Sequence, residues 1–297
     1  MTSTMSGSEL KRLLVATDFS PRAELALRRA VQIVNEHGAT LSLFHATDAD
    51  AGDDMAARQL TAGTEKTLRQ QIDKYLPDNG AGSVRVATGK PFVEIIRGAR
   101  DEGAELVVLG AHGEHFLKDL LLGTTAEKVV RKGDRPVLVV KRAAHGPYRQ
   151  VLVAVDFSEN SRHALELALR LAPQAQFHVV HVYPGFEVQL RRTGIPPSEI
   201  ARRLRPRVEE ARQNMEAFLR GVDCGDRPIR QILWDGRAHQ EITTLAKRLR
   251  VELVAVGTTG RTGLPYILLG SVAEHVLREV SCDALVTRAA GGRFELP

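Results

Sequence analysis

Gly110-Ala111-His112-Gly113, nine residues, then Gly123-Thr124: this stretch decides how the chain is read, because it recurs as Gly257-Thr258-Thr259-Gly260, nine residues, then Gly270-Ser271. Each copy follows an apolar run of strand character, Leu106-Val107-Val108-Leu109 and Leu253-Val254-Ala255-Val256, and leads into an amphipathic helix. A glycine turn at a strand's carboxyl end, with a hydroxyl residue opening the next helix, gathers backbone N–H groups in a form that attracts phosphate. One copy is a weak signal. Two copies with identical spacing predict nucleotide binding, at one site or at two.

The repeat reaches beyond the glycines. Leu13-Leu14-Val15-Ala16-Thr17-Asp18-Phe19-Ser20 matches Val151-Leu152-Val153-Ala154-Val155-Asp156-Phe157-Ser158, and Leu43-Phe44-His45-Ala46 matches Val179-Val180-His181-Val182. Gly89-Lys90-Pro91 matches Gly236-Arg237-Ala238, and Pro136-Val137-Leu138-Val139-Val140 matches Asp283-Ala284-Leu285-Val286-Thr287. A period of about 140 residues is too long for a solenoid and indicates a duplicated domain. The 297-residue length agrees, being about two ordinary domains. The expected organisation is a disordered lead-in over 1–10, domains over 11–142 and 150–288, a linker over 143–149 and a tail over 289–297. The linker holds Gly146 and Pro147 and is short, so the domains should pack together.

Within the first copy, strands are predicted at Leu13–Thr17, Leu41–Ala46, Val84–Thr88, Leu106–Gly110 and Val137–Val140. Helices are predicted near Pro21–Glu36, Met55–Leu76, Phe92–Glu102 and Thr125–Arg131. Ser20 and Pro21 form a helix start signal, and Leu25, Ala26, Ala30, Ile33 and Val34 recur at helical spacing. Near-continuous apolar strands joined by helices indicate an α/β fold with a parallel sheet covered on both faces. Right-handed crossovers wind it doubly and place a ligand beyond the strand carboxyl ends. Asp18 and the Gly110 turn both fall there.

In the second copy Gly185 to Pro197 reads as loop and Glu199–Leu219 as helix. Seven arginines lie between Arg191 and Arg212 among Glu199, Glu209 and Glu210; a solvated helix face is the simpler reading, an anionic partner the other.

Composition excludes several classes. At 43% hydrophobic and 26% charged the chain is an ordinary globular sequence. No apolar run approaches the roughly 18 residues of a membrane span, and Met1 to Leu10 lacks the regions of a signal peptide. A net charge of +5 without a basic tract does not imply nucleic-acid binding. Cys224 and Cys282 lack metal-like spacing and read as reduced thiols of a cytoplasmic protein.

With these residues the chain resembles the universal stress protein family in its tandem form, from Lys11 to Arg288. The Gly-x2-Gly-x9-Gly-Ser/Thr pattern marks that family's ATP-binding branch. The resemblance implies two Rossmann-like doubly wound domains, each with a five-stranded, mainly parallel sheet. It also implies ATP at the carboxyl edge and pairing of the two last strands, so that the chain mimics a dimer; a homodimer of the chain is left open. It implies that the backbone at Ala46 and Val182 meets adenine, with Ala16 and Ala154 lining the pocket.

Gly110, Gly113, Gly257 and Gly260 are expected to let backbone approach phosphate without a Cβ in the way. Gly123 with Thr124 and Thr125, and Gly270 with Ser271 and Val272, would supply helix N-terminal donors. Asp18 and Asp156 have two readings: ribose, adenine or Mg-bridged phosphate contact, which is preferred, or a turn carboxylate capping the next helix. No direct protein metal site is expected. His112 and His115 sit in the phosphate loop without a third ligand, His45 and His181 read as half-buried hydrogen-bonded histidines, and Trp234 as a core or interface aromatic. Arg261 replaces Glu114 after the second loop glycine, so the C-terminal site should bind ATP more tightly.

No Walker loop, nucleophile elbow or catalytic carboxylate pair is present. The expected function is an ATP-binding stress-response regulator acting on an unknown signalling partner, with at most slow hydrolysis. A nucleotidyl-transfer enzyme and a non-binding assembly scaffold are the alternatives.

Overall fold

The computed structural model describes residues 9–47, 54–76, 82–111, 123–184, 194–258 and 269–288. The first half runs β1 (Arg12–Ala16), α1 (Pro21–His37), β2 (Thr40–Thr47), α2 (Asp54–Tyr75), β3 (Gly82–Thr88), α3 (Pro91–Asp101), β4 (Leu106–Gly110), α4 (Thr124–Lys132) and β5 (Val137–Val140). The second runs β6 (Gln150–Ala154), α5 (Glu159–Leu171), β7 (Gln176–Pro184), α6 (Pro197–Arg220), β8 (Ile229–Gly236), α7 (Ala238–Arg248), β9 (Leu253–Gly257), α8 (Ser271–Glu279) and β10 (Asp283–Thr287).

Helix starts follow their caps. Ser20 accepts from the N–H of Ala23 and Pro21 opens α1, while Gly38, at φ 62°, closes it with its N–H on Val34 O. In α5 Ser158 plays the part of Ser20, accepting from the N–H of Ser161. The α6 helix begins at Pro197, ahead of the expected Glu199, because proline's fixed φ suits a first helical position.

All ten strands form one sheet in the order β3-β2-β1-β4-β5-β10-β9-β6-β7-β8. Within each half every pair is parallel. The halves join through an antiparallel β5–β10 pair centred on Leu138 opposite Leu285. Those two leucines are equivalent in the repeat, so the junction has a local pseudo-twofold. Leu27, Leu68, Leu138, Leu165, Met215 and Leu285 share one core on the α1, α2, α5 and α6 face. Ile96, Val129, Val139, Leu245, Val276 and Val286 share the other, under α3, α4, α7 and α8. Both cores run through the junction.

The junction is also cross-capped. Lys141, just past β5, donates from Nζ to Leu277 O at 2.6 Å and Val280 O at 2.7 Å, at the C-terminal end of α8. Arg288, its repeat equivalent past β10, donates to Arg131 O at 2.9 Å, at the end of α4. Cations suit helix C-termini, where carbonyls lack partners. Burial holds the Lys141 ammonium down to about 8.

Asp283 anchors the same junction. It accepts from the Lys141 N–H at 2.8 Å and the Tyr148 hydroxyl at 2.6 Å, and it lies 3.3 Å from Arg29 Nε. Tyr148, buried in the expected linker, lies under the Arg29 guanidinium at 4.1 Å. Both cysteines are unbridged; desolvation, with Asp283 adding to it, pushes the Cys282 thiol up to about 11.

The arginine-rich helix presents its charges to solvent. Arg202 and Arg203 pair with Glu199, and Arg212 pairs with Glu209 and Glu216. Ile200, Leu204, Ala211, Met215 and Phe218 form its buried face. Arg191 and Arg192 lie outside the described residues.

Candidate functional site

In each half the chain leaves the first strand in one direction, to β2 and β3, and returns on its other side with β4 and β5. The switch point between β1 and β4, and between β6 and β9, opens a crevice beyond the strand carboxyl ends. Ala16 and Ala154, each 9% exposed, are the last residues of β1 and β6 at these crevices.

Past them the chain makes a tight turn with one unusual residue. Phe19 has φ 64° and Phe157 has φ 67°, a left-handed conformation costing roughly 1–2 kcal/mol for a residue with a Cβ. Several contacts hold it. Asp18 Oδ1 accepts from the Ser20 N–H at 3.1 Å, Asp156 Oδ1 from the Ser158 N–H at 3.1 Å, and Thr17 Oγ1 from the Phe19 N–H at 3.0 Å. The Phe19 ring lies 4.7 Å from the His45 ring, and Phe157 lies 4.2 Å from His181. Nδ1 of each histidine is 2.8 Å from a backbone carbonyl, Thr17 O or Val155 O, which can only accept, so Nδ1 carries the proton. Both histidines are half-buried and hydrogen-bonded, as their strand-end positions suggested. Asp18 and Asp156 are thus turn carboxylates, while the caps of the following helices are Ser20 and Ser158. The repeated Asp-Phe-Ser was the available signal for this turn, but sequence could not show that its phenylalanine is left-handed.

Gly110 and Gly257 need their missing Cβ for a reason other than phosphate. A Cβ on Gly110 would sit 2.8 Å from the carbonyl carbon and oxygen of Arg22, and one on Gly257 would sit 2.7 Å from Asn160 Cβ and 2.9 Å from its carbonyl carbon. These glycines let the first turns of α1 and α5 pack against the ends of β4 and β9. Gly110→Ala and Gly257→Ala should each cost roughly 1–3 kcal/mol, since helix backbone cannot yield as a side chain can. Urea unfolding checks this; an unchanged midpoint would show that the helices shift freely. Gly113, Gly260, Arg261, Glu114, His112 and His115 lie outside the described residues.

The helix openings leave backbone N–H donors without a side-chain cap. Gly123 and Gly270, the N-caps of α4 and α8, have no side chain with which to cap. Their own N–H groups are used, by Ala111 O at 2.7 Å and Thr258 O at 2.6 Å, which ties each helix to the strand before it. The first intrahelical bonds come from Glu127 and Glu274. The N–H groups of Thr124, Thr125 and Ala126, and of Ser271, Val272 and Ala273, thus head their helices without intrahelical acceptors. Thr124 and Ser271 are exposed. The first-turn acids are engaged elsewhere, Glu127 by Arg131 at 2.9 Å and Glu274 by Arg278 at 3.1 Å.

The opposite wall follows from strand alternation. Phe44 O accepts from Thr17, just past β1, whereas Thr47 O accepts from Gly89 after β3. Successive strand residues face opposite neighbours, so the Ala46 N–H and C=O point to β1's side, past its end. Val180 O accepts from Val155, which places the Val182 groups likewise beyond β6. The crevice therefore offers helix N–H donors on one side and an N–H/C=O pair on the other. Among the described residues no three His, Cys, Asp or Glu side chains converge to hold a metal.

This architecture, a doubled parallel α/β unit, agrees with the comparisons. Residues 9–141 and 147–288 each match the universal stress protein family, and the chain belongs to it. It is 26% identical over 311 residues to universal stress protein E of Photorhabdus laumondii, covering 97% of each chain. It is 32% identical over 155 residues to universal stress protein MJ0577 of Methanocaldococcus jannaschii, spanning 44% of this chain and 95% of that one. The crystal structure of a universal stress protein from Archaeoglobus fulgidus superposes with a TM-score of 0.69 at 19% identity, over 96% of this chain and 99% of that one, a likeness of fold.

Proposed function

We propose that each half binds ATP in its crevice and that the chain works as a nucleotide-dependent regulator of a stress response, with at most slow hydrolysis. The domains taken to do this are residues 11–142 and 150–288. The observation that carries the reading is the pairing, at both switch points, of a side-chain-free helix opening with outward-facing N–H and C=O groups at Ala46 and Val182. A triphosphate would lie against Gly123, Thr124 and Thr125, or against Gly270, Ser271 and Val272, with Gly113, Gly260 and Arg261 completing the loops. Adenine would meet the Ala46 or Val182 backbone beside Ala16 or Ala154. The carboxylates of Asp18 and Asp156, at the strand ends, would meet a ribose hydroxyl or a Mg²⁺ carried by the phosphates.

The described helices include none long and apolar enough to cross a membrane, and we place the protein in the cytoplasm, where thiols such as Cys224 and Cys282 stay reduced. The signalling partner would read the nucleotide state of the joined halves. Replacing both Gly113 and Gly260 with valine tests the phosphate loops: ATP binding should fall below detection while the unfolding midpoint changes little. Undiminished binding would remove the loops from the site.

A further inference from the structure

Trp234 is the only tryptophan in the chain, and of its two expected places, core or interface, the core is not where it lies. It stands near the carboxyl end of β8, which pairs with β7 at the sheet's edge, and it is 36% exposed. An edge strand has a neighbour on one side only, so an indole there cannot be enclosed by flanking strands.

Its position relative to the crevice follows from register. Trp234 is directly opposite Val182, and Val180, two residues before Val182, is opposite Ala154. In-register neighbours share a face and residues two apart share a face. Trp234, Val182 and Ala154 therefore lie on one side of the sheet. That side is the one covered by α7 and α8, because Ala154, Val180 and Ala273 belong to its core and Val182, Ile232 and Val272 pack against it. The open N-terminus of α8 is on the same side. Adjacent strands are about 4.8 Å apart, and an indole is long enough to cross that gap over Val182. In the first half the equivalent pair is Ala46 opposite Ala87, with no aromatic.

We propose that Trp234 forms an aromatic wall for the base of a nucleotide held at Val182, at a position where the N-terminal half has Ala87 instead. This rests on the nucleotide reading above and adds to it an asymmetry of base recognition. A wall of this kind favours planar heteroaromatic bases broadly and contributes nothing to the phosphates. Stacking of a base on an aromatic side chain is sequence-tolerant and, by the usual effect of truncating it, changes affinity on the order of tenfold.

A sole tryptophan makes the test direct. ATP is titrated into the full chain while Trp234 emission is followed, and bound ATP is measured separately by equilibrium dialysis. Emission should change saturably with the midpoint of one of the two dialysis phases. Trp234→Ala should weaken that phase about tenfold, Trp234→Phe should retain most of it, and inorganic tripolyphosphate should bind the wild type and Trp234→Ala equally. Saturable ATP binding in dialysis, with emission unmoved and Trp234→Ala unaltered, would overturn the wall and leave the nucleotide site standing. No ATP retained by the wild type would overturn the nucleotide reading itself, and the wall with it.

Discussion

Thr124→Asp combined with Ser271→Asp is expected to abolish ATP binding while leaving the protein as stable as before, or slightly more so. Both positions are exposed first residues of helices that no side chain caps. A carboxylate in a first helical turn is favourable with the macrodipole, by about 0.3–1 kcal/mol. The same carboxylate faces the space that a triphosphate is proposed to fill. One pair of like charges 4 Å apart repels by about 1 kcal/mol in bulk water and by about 4 at the effective dielectric near a protein surface. Several phosphate charges act together, so the loss at each site should be on the order of a hundredfold or more. Either single variant should lose one of the two sites. Calorimetric unfolding beside equilibrium dialysis separates the effects, because ordinary fold damage would lower both. Retained binding in the double variant would remove the phosphates from these helix openings.

Asp283→Ala should produce the largest loss of stability. Asp283 and Arg29 have side chains 1% and 7% exposed, and the carboxylate also accepts from the backbone N–H of Lys141 and Arg142 and from the Tyr148 hydroxyl. Arg29 Nη1 is held by Gly146 O at 2.9 Å and Gln32 Oε1 at 2.8 Å, so it cannot follow solvent when its counter-ion is removed. Removing one partner of a buried ion pair typically costs about 3–5 kcal/mol, because the other charge is left buried and uncompensated. The damage should be shared by both halves, since α1 belongs to one and β10 to the other. Urea unfolding should therefore show a single transition at a lower midpoint, with Asp283→Asn less affected. A shift under 1 kcal/mol, or two transitions with only one displaced, would mean that the junction does not couple the halves.

The sequence makes the repeat, the strand–helix alternation and the crevice positions legible because each rests on local pattern. The apolar runs at Leu106–Gly110 and Val137–Val140 coincide with β4 and β5, and Ser20-Pro21 opens α1 where its chemistry says it should. What stayed hidden depends on partners far along the chain. In the sequence Asp283 stands only as the repeat match of Pro136; its partners Arg29 and Tyr148 lie more than a hundred residues away. Gly110 and Gly257 were assigned to phosphate approach, whereas the atoms that exclude a Cβ belong to α1 and α5. Trp234 was placed in a core or an interface because composition does not distinguish an edge strand from a central one. Thr17 accepts from the Phe19 N–H and braces the left-handed turn, a role set by the folded turn itself. The contrast between Glu114 and Arg261 still argues for a tighter C-terminal site, and Trp234 adds an independent reason.

The central claim is that two crevices in one continuous sheet each hold a nucleotide. Titration calorimetry of the full chain, stripped of any bound nucleotide and mixed with ATP and Mg²⁺, tests it most directly. Two ATP per chain with unequal affinities is the predicted result. A flat isotherm up to millimolar ATP would contradict the account, leaving the helix openings as structural features of the fold.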